Sequence, residues 1–190
     1  MGIIDKKTMW EGSFVRTILL TYQDHNGRPR KWEAVERVNC NGIVSIVPVT
    51  VDRKFVLIRQ YRPVVGRFVI EFPAGLSDKG ESLIDVAKRE LIEETGYDSG
   101  ALEFLTESPL SSGLTTEILS VFLAKNASPA LPELIERYPA DETENIEVIT
   151  VPLSELGDAL NKYRLNGDYV DLKVQGVADM ALKRLEIEKG

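Results

Sequence analysis

Short apolar and β-branched runs, separated by turn-forming Gly, Pro, Asn and Asp, fill much of this chain. Runs of this kind predict β-strands. The predicted strands cover residues 13–22, 30–38, 42–50, 54–61, 67–72, 101–107, 118–124 and 145–151. The turn at residues 24–29 joins the first two strands into a hairpin. Residues 42–50 are almost uninterruptedly apolar, which is typical of a strand buried on both faces.

Helical periodicity is clearest in the middle and at the end of the chain. Leu83, Ala87 and Leu91 recur at helical spacing in residues 82–95, which contain no Gly or Pro. We expect Ser82 to cap the start of this helix and Gly96 to end it. Two more helices are predicted, one opened by Pro152 and one at residues 171–189, whereas residues 126–143 lack periodicity and predict a long surface loop. Together, these elements predict an α+β fold in which helices cover both faces of a mixed sheet.

Composition narrows the classes of protein that the chain can represent. Its 190 residues suffice for one sizeable domain, or for a domain with a small extension. A net charge of −7 argues against a broad nucleic-acid-binding surface. The single cysteine, Cys40, excludes an intramolecular disulfide and favours a cytoplasmic location. No apolar run is long enough to span a membrane, and we expect no signal peptide in the charged N-terminal segment.

Charged chemistry concentrates on the central helix. The only histidine, His25, lies in a turn-rich segment, so catalysis by a Ser-His-Asp triad or a zinc site of the HExxH type is not expected. At about 100° per residue, Glu90 and Glu94 project close together, in the sector that Leu83 and Ala87 make apolar. Like charges at this spacing repel, and clustered carboxylates suit Mg²⁺ or Mn²⁺. The alternative is an acidic helix face that only keeps the protein soluble.

The full spacing at residues 75–97 is much more specific than one pair of glutamates. It follows the pattern G-x5-E-x7-R-E-L-x-E-E-x-G-Y without a missing position. This pattern resembles the Nudix box, the signature of hydrolases that cut nucleoside diphosphates linked to another group. The resemblance implies a Nudix α/β/α sandwich with a mixed β-sheet and an N-terminal β-hairpin region.

Flanking segments narrow the resemblance to one subgroup. Residues 59–76 and residues 22–37 are similar to segments of ADP-ribose and ADP-sugar pyrophosphatases, and the similarity extends over residues 14–185. The resemblance implies Mg²⁺-dependent hydrolysis of a nucleoside diphosphate sugar, with ADP-ribose as the first substrate to test. It also implies a homodimer, with residues 1–40 as a dimerising β-region and residues 41–190 as the Nudix domain.

The resemblance assigns a role to individual residues. The carbonyl of Ala74, together with Glu90, Glu93 and Glu94, would form the metal site for Mg²⁺, with Mn²⁺ as an alternative. The resemblance also implies that Arg89 orients a glutamate and that Glu144 activates water. Arg37 and Arg62 would hold the diphosphate. Phe14 and Trp32 would sandwich the adenine, and Gly113 and Leu114 would contribute to substrate binding. Divalent ions neutralise a diphosphate and lower the pKa of water.

Two residues depart from the pattern of the subgroup, and both the activity and the general base have alternatives. Ser112 replaces the usual proline of the loop after the box, and Phe14 replaces a tryptophan, so other nucleoside diphosphate sugars stay open. A Nudix-type sensor that binds an ADP-sugar without cutting it is also possible on the same residues. For the general base, Glu144 on a loop competes with Glu147 inside the last strand and with Glu93, whereas the nearby Glu142 is expected to be silent.

Overall fold

The N-terminal part of the chain forms a separate three-stranded antiparallel sheet. The computed structural model describes residues 2–77, 80–141 and 143–187. The strands are β1 (Gly2–Glu11), β2 (Val15–Gln23) and β3 (Pro29–Arg37), in the order β1-β2-β3. The predicted hairpin is confirmed as β2 and β3. Strand β1 was not predicted, because all ten of its residues are exposed and its sequence carries no alternation of buried and exposed positions.

A larger mixed sheet contains the remaining strands. They are β4 (Gly42–Thr50), β5 (Lys54–Arg62), β6 (Arg67–Glu71), β7 (Ala74–Ser77), β8 (Tyr97–Asp98), β9 (Ala101–Pro109), β10 (Ile118–Pro129), β11 (Ile146–Pro152) and β12 (Tyr169–Val170). The main path runs β12-β6-β5-β4-β10-β8, while β11 pairs with β5, β7 with β4 and β9 with β10. The pairing of β4 with β10 is parallel, and nearly all of β4 is buried, as its apolar sequence predicted.

Helices pack on both faces of this sheet. The helices of the described residues are α1 (Leu83–Thr95), α2 (Pro132–Arg137), α3 (Leu156–Leu165) and α4 (Lys173–Ile187), and a 3-10 turn (Leu153–Glu155) precedes α3. Alternate residues of β4 face the two sides: Val44 and Ile46 pack in a cluster with α1, while Val47 and Val49 pack in the larger cluster that contains α3 and α4. This arrangement confirms the predicted sandwich. In the described part of the chain, no helix is long and apolar enough to cross a membrane.

The segment at residues 126–143 differs from its prediction as one long loop. Strand β10 continues through Pro129, and α2 follows immediately. Helix α2 has no buried residue, so its sequence shows no amphipathic stripe. Its start is set instead by Pro132, a residue whose fixed φ suits the first helical turn. The predicted helix at residues 171–189 is observed as α4, and its last two predicted residues lie outside the described part of the chain.

Candidate functional site

Helix α1 places a row of carboxylates against strand β7. Ser82 caps the helix by accepting a hydrogen bond from the amide of Asp85, and Gly96 ends it with φ 68°, as predicted from the sequence. Val86, Ala87 and Leu91 pack into the sheet and fix the rotation of the helix. This rotation turns Glu90 and Glu94 toward β7 and away from bulk solvent.

The backbone of strand β7 closely approaches the carboxylates of Glu90 and Glu94. An oxygen of Glu94, Oε2, accepts a 2.8 Å hydrogen bond from the amide of Ala74. The carboxylate of Glu90 lies against Gly75, where a side chain would collide with it. The short strand and the helix therefore form one wall of carboxylate and backbone groups, which brings together Ala74, Glu90 and Glu94 as the sequence predicted.

Arg89 links several glutamates of the helix region. Its Nη1 donates to Oε1 of Glu90 and to Oε2 of Glu93, each at 2.8 Å, and its Nη2 donates to Oε2 of Glu81 at 3.4 Å. The guanidinium is thus shared among three carboxylates and does not form a bidentate pair with one of them. Although burial opposes the effect, the charges of Glu90 and Glu93 raise the pKa of Arg89.

The pKa values of Glu90 and Glu94 are both raised above the ordinary value of a glutamate. Burial raises the pKa of Glu94 to about 9; the charges of Glu90 and Glu144 add to this shift, and the amide of Ala74 opposes it. Burial also raises the pKa of Glu90 to about 7, with Arg89 opposing and other glutamates adding to the shift. Negative charge at these positions is therefore costly unless a cation is present.

A cavity of about 510 Å³ opens in front of this wall and collects most of the predicted residues. It is lined by Arg37, Ile43, Arg62, Ala74, Gly75, Leu76, Arg89, Glu90, Glu93, Glu94, Asp141 and Glu144. Carboxylates thus lie on one side, and two arginines reach the same space from β3 and β5. Such a combination suits a ligand that carries both metal-binding oxygens and negative charge.

Both of these arginines are held by a carboxylate of their own. The Nε and Nη2 of Arg62 donate to the two oxygens of Glu71, at 3.1 and 2.5 Å. The Nε of Arg37 donates to Oε1 of Glu117 at 2.7 Å. Within the described residues, Nη1 of Arg62 and both terminal nitrogens of Arg37 make no hydrogen bond, so each guanidinium keeps donors for a ligand.

The loop before β11 reaches the same cavity. Glu144 is exposed, lines the cavity and is close enough for its charge to raise the pKa values of Glu90 and Glu94. Glu147 is engaged elsewhere, because its Oε2 accepts a 3.2 Å hydrogen bond from Nη1 of Arg59. Glu142, the third glutamate of this region, lies outside the described residues.

The aromatic pair predicted to hold adenine is not assembled within one chain. The amide of Val38 donates to the carbonyl of Phe14, so Phe14 lies beside the end of β3. Trp32 is six residues earlier on β3, which at about 3.3 Å per residue places it roughly 20 Å away. Phe14 is 79% and Trp32 48% exposed, and neither lines the cavity. One chain alone cannot bring both rings to one base.

The loop that contains Ser112, in place of the usual proline, packs against the N-terminal sheet. Nε1 of Trp32 donates to the carbonyl of Gly113 at 3.1 Å, and the amide of Val35 donates to the carbonyl of Leu114 at 2.8 Å. Gly113 and Leu114 are exposed and do not line the carboxylate cavity. Their structural role in this conformation is to join the loop to β3.

The donor set fits a divalent cation in its chemistry, but the ligands are not gathered around one point. Hard carboxylate oxygens and buried negative charge favour Mg²⁺-like ions. However, no group of three or more His, Cys, Asp or Glu side chains in residues 2–77, 80–141 and 143–187 is arranged to hold a metal ion. In this conformation Glu90 and Glu93 accept hydrogen bonds from Arg89, and Glu94 accepts one from the amide of Ala74.

Sequence reasoning missed several residues of the site. The sequence does not single out Glu71, which holds Arg62 from the neighbouring strand. Nor does it single out Glu117, which holds Arg37 from a distant part of the chain. Asp141 lines the cavity but lies in a segment that was interpreted only as a loop. Of these three, only Glu71 had a local signal, since it directly precedes the residues that lead into the box.

Known proteins resemble this chain in both sequence and fold. Residues 41–171 match the NUDIX domain family. The chain is 34% identical over 152 residues to an ADP-ribose pyrophosphatase of Bacillus subtilis, covering 80% of this chain and 78% of that protein. It is also 34% identical over 165 residues to an ADP-sugar pyrophosphatase of Mus musculus, covering 81% and 74%. A crystal structure of an ADP compounds hydrolase superposes with a TM-score of 0.77 at 24% identity, covering 98% and 95%, and so shares the fold. The chain therefore belongs to the Nudix hydrolase family.

Proposed function

We propose that this Nudix hydrolase cleaves the diphosphate of a nucleoside diphosphate sugar, with ADP-ribose as the leading substrate. The products are a nucleoside monophosphate and a sugar phosphate. The observation that carries the proposal is the cavity in which Glu90, Glu93 and Glu94 face Arg37 and Arg62. The names of the two pyrophosphatase relatives support the same substrate class.

In this proposal the arginines bind and orient the diphosphate. Arg62 enters from β5 and Arg37 from β3, so they can contact the diphosphate from two directions. Each arginine is held by a carboxylate and keeps unpaired N–H donors. Because its side chain is already ordered, it loses less rotamer entropy when it donates hydrogen bonds to a phosphate oxygen.

We assign the metal site to the carbonyl of Ala74 with Glu90, Glu93 and Glu94, and we assign Mg²⁺, with Mn²⁺ as an alternative. A divalent ion bound there neutralises the diphosphate and lowers the pKa of water. The raised pKa values of Glu90 and Glu94 support the assignment, because a cation removes the cost of keeping them ionised. Arg89 holds the glutamates in place.

Glu144 is proposed as the general base. It is exposed on a loop that lines the cavity, so its carboxylate can accept a proton from the attacking water once substrate is bound. Glu147 is occupied by Arg59, and Glu93 by Arg89, which makes both less available to accept that proton.

A homodimer is proposed through the β-region of residues 1–40. The distance between Phe14 and Trp32 supports it, because the two rings can enclose one adenine only if they come from different chains. The exposed Ile3, Met9 and Trp10 of β1 supply apolar surface for such an interface. The single cysteine and the negative net charge are consistent with a cytoplasmic protein that does not bind nucleic acid.

A non-hydrolytic sensor of ADP-sugars is the second candidate. The observation that favours it is that Glu90 and Glu93 are engaged by Arg89 and Glu94 by the amide of Ala74. The presence of every glutamate of the box favours the hydrolase, because a sensor has no need for them.

A substrate panel separates these functions. ADP-ribose, ADP-glucose, GDP-mannose and UDP-glucose are each incubated with the protein and Mg²⁺, and phosphate is measured after coupling to a phosphatase. We expect turnover that is highest with ADP-ribose and absent with EDTA. No turnover of any compound, together with binding of an ADP-sugar by calorimetry, would support the sensor.

A further inference from the structure

A second cavity adjoins the metal-site cavity on the opposite face of the central sheet. Its volume is about 240 Å³, and it lies between the sheet and α4. Its lining comprises Ile43, Ser45, Arg62, Glu71, Phe72, Ala74, Leu110, Leu119, Val121, Asp171, Lys173, Val174 and Val177. Ile43, Arg62 and Ala74 line both cavities, so a ligand held by Arg62 in one can extend into the other.

Most of the inner wall is apolar, but one buried polar group faces the cavity. Ser45 is 7% exposed, and its hydroxyl makes no hydrogen bond within the described residues. It lies on β4 directly opposite Ala74 of β7 in the strand register. The fully buried side-chain atoms without a hydrogen-bond partner in the described residues are Gln60 Oε1 and Asp98 Oδ1, so the hydroxyl of Ser45 is open to the cavity rather than enclosed. Ser45 is therefore a candidate hydrogen-bonding group for a ligand in this cavity.

Charged groups surround the apolar part in neutral pairs. Arg62 is paired with Glu71, and Lys173 with Asp171. Carboxylate oxygens accept hydrogen bonds from hydroxyl groups and repel further negative charge. The lining thus fits an uncharged, hydroxyl-bearing group whose ring carbons pack on apolar side chains.

The size of the cavity restricts that group. Pockets that enclose a whole drug-sized ligand measure roughly 300–1,000 Å³. At about 240 Å³, this cavity has room for one sugar ring and not for a base together with its sugar. This volume argues against a second nucleoside.

We propose that this cavity binds the sugar half of the substrate, that Ser45 recognises one of its hydroxyl groups, and that Val177 and Leu110 limit its size. This inference rests on the proposed function and adds the subsite that selects nucleoside diphosphate sugars over dinucleotides.

The test compares two substrates that differ only beyond the diphosphate. These are ADP-ribose and the β-methyl ester of ADP, and the measured quantity is the ratio of their kcat/KM values. Ser45→Ala should lower this ratio about three- to tenfold, the range of one hydrogen bond. The matched control is Ser120→Ala, because Ser120 is a buried serine on the neighbouring strand that lies on the face toward α1. The control should leave the ratio within twofold of wild type.

A second variant tests volume. Val177→Phe fills the cavity from α4 and should lower the ratio at least tenfold, whereas Met180→Phe, at a half-exposed position of the same helix, should not. If circular dichroism shows that Val177→Phe does not fold, Leu110→Phe tests the opposite wall. Wild type should also prefer ADP-ribose to diadenosine diphosphate at least tenfold.

Failure of the subsite is distinguishable from failure of the function. Wild type could turn over both substrates while neither Ser45→Ala nor Val177→Phe changes the ratio of their kcat/KM values. That result would overturn the subsite and leave the hydrolase intact. Absence of turnover of both substrates by wild type would reject the proposed function and the subsite with it.

Discussion

The carboxylate of Glu90 lies directly against the Cα of Gly75. A Cβ atom placed on Gly75 would be 1.9 Å from Cδ and from Oε1 of Glu90, whereas real Cβ atoms essentially never approach another atom within 3.0 Å. The glycine is thus required here by close approach of a side chain, since its φ is not in the left-handed region. The atoms it meets are the flexible end of Glu90, which can move aside.

Gly75→Ala should therefore remove activity without unfolding the protein. The methyl group displaces the carboxylate that we assign to the metal site, and we expect kcat/KM to fall at least 100-fold, while the melting temperature changes little. Gly100→Ala is the control, because nothing lies within 4 Å of a Cβ at that position. A Gly75→Ala protein with near-wild-type activity would show that the position of Glu90 is unimportant for catalysis.

Glu94→Gln separates catalytic from structural roles of the innermost glutamate. We expect most activity to be lost, since the amide is a poor metal ligand. The melting temperature of the metal-free protein should stay level or rise, because burial and neighbouring charges already favour the uncharged form of Glu94. Glu107→Gln, an exposed change on β9, should be silent in both assays. A large fall in the melting temperature would identify Glu94 as a structural hydrogen-bond partner of Ala74.

The stability of the metal-free protein should fall as pH rises. The pKa of Glu94 is about 9 in the folded state against an ordinary value of 4.5, so the folded chain binds more protons than the unfolded chain between these values. The contribution of Glu94 to stability is therefore fully present below pH 4.5 and is lost as pH rises toward 9, by an amount on the order of a few kcal/mol. Denaturant unfolding in EDTA measures this slope.

Two changes should flatten that slope. Glu94→Gln removes the titrating group, and Mg²⁺ stabilises the ionised form at neutral and alkaline pH. A metal-free protein whose unfolding free energy is constant from pH 5 to pH 9 would contradict the raised pKa.

The sequence predicted the scaffold of the site more fully than its contacts. The start of α1 at Ser82 and its end at Gly96 follow from local capping rules, and the buried strand β4 follows from its composition. The grouping of Ala74 with Glu90 and Glu94 followed from the box pattern. The pairs of Arg62 with Glu71 and of Arg37 with Glu117 had no such signal, because they depend on strand register and on packing between the two sheets.

Strand β1 and helix α2 were missed for a related reason. All of β1 is exposed and no residue of α2 is buried, so neither carries the hydrophobic period from which elements are inferred. Strand β1 is specified by backbone pairing with β2, from Gly2 opposite Gln23 to Glu11 opposite Arg16. Tertiary pairing of this kind is invisible in a local window of sequence.

Complementation between inactive chains tests the proposed dimer. Glu94→Gln and Trp32→Ala should each reduce activity, and mixing the two proteins should restore a fraction of it. Recovery follows if Trp32 of one chain and the carboxylates of the other serve one site. A mixture of Glu94→Gln with Glu90→Gln is the control, because both residues line one cavity and no heterodimer site is intact. No recovery after confirmed subunit exchange would place Trp32 in the site of its own chain or make the protein a monomer.

The general base is tested by Glu144→Gln. Glu144 lies exposed at the cavity rim, and the glutamine keeps its size while removing proton-accepting ability. We expect kcat to fall by ~10²–10⁴, the usual contribution of a general base, with little change in KM. Glu147→Gln is the matched control, since it lies three residues away but its carboxylate contacts Arg59 outside the cavity. If Glu144→Gln keeps a near-wild-type kcat while Glu93→Gln or Glu147→Gln loses it, the base is the residue whose substitution lowers the rate.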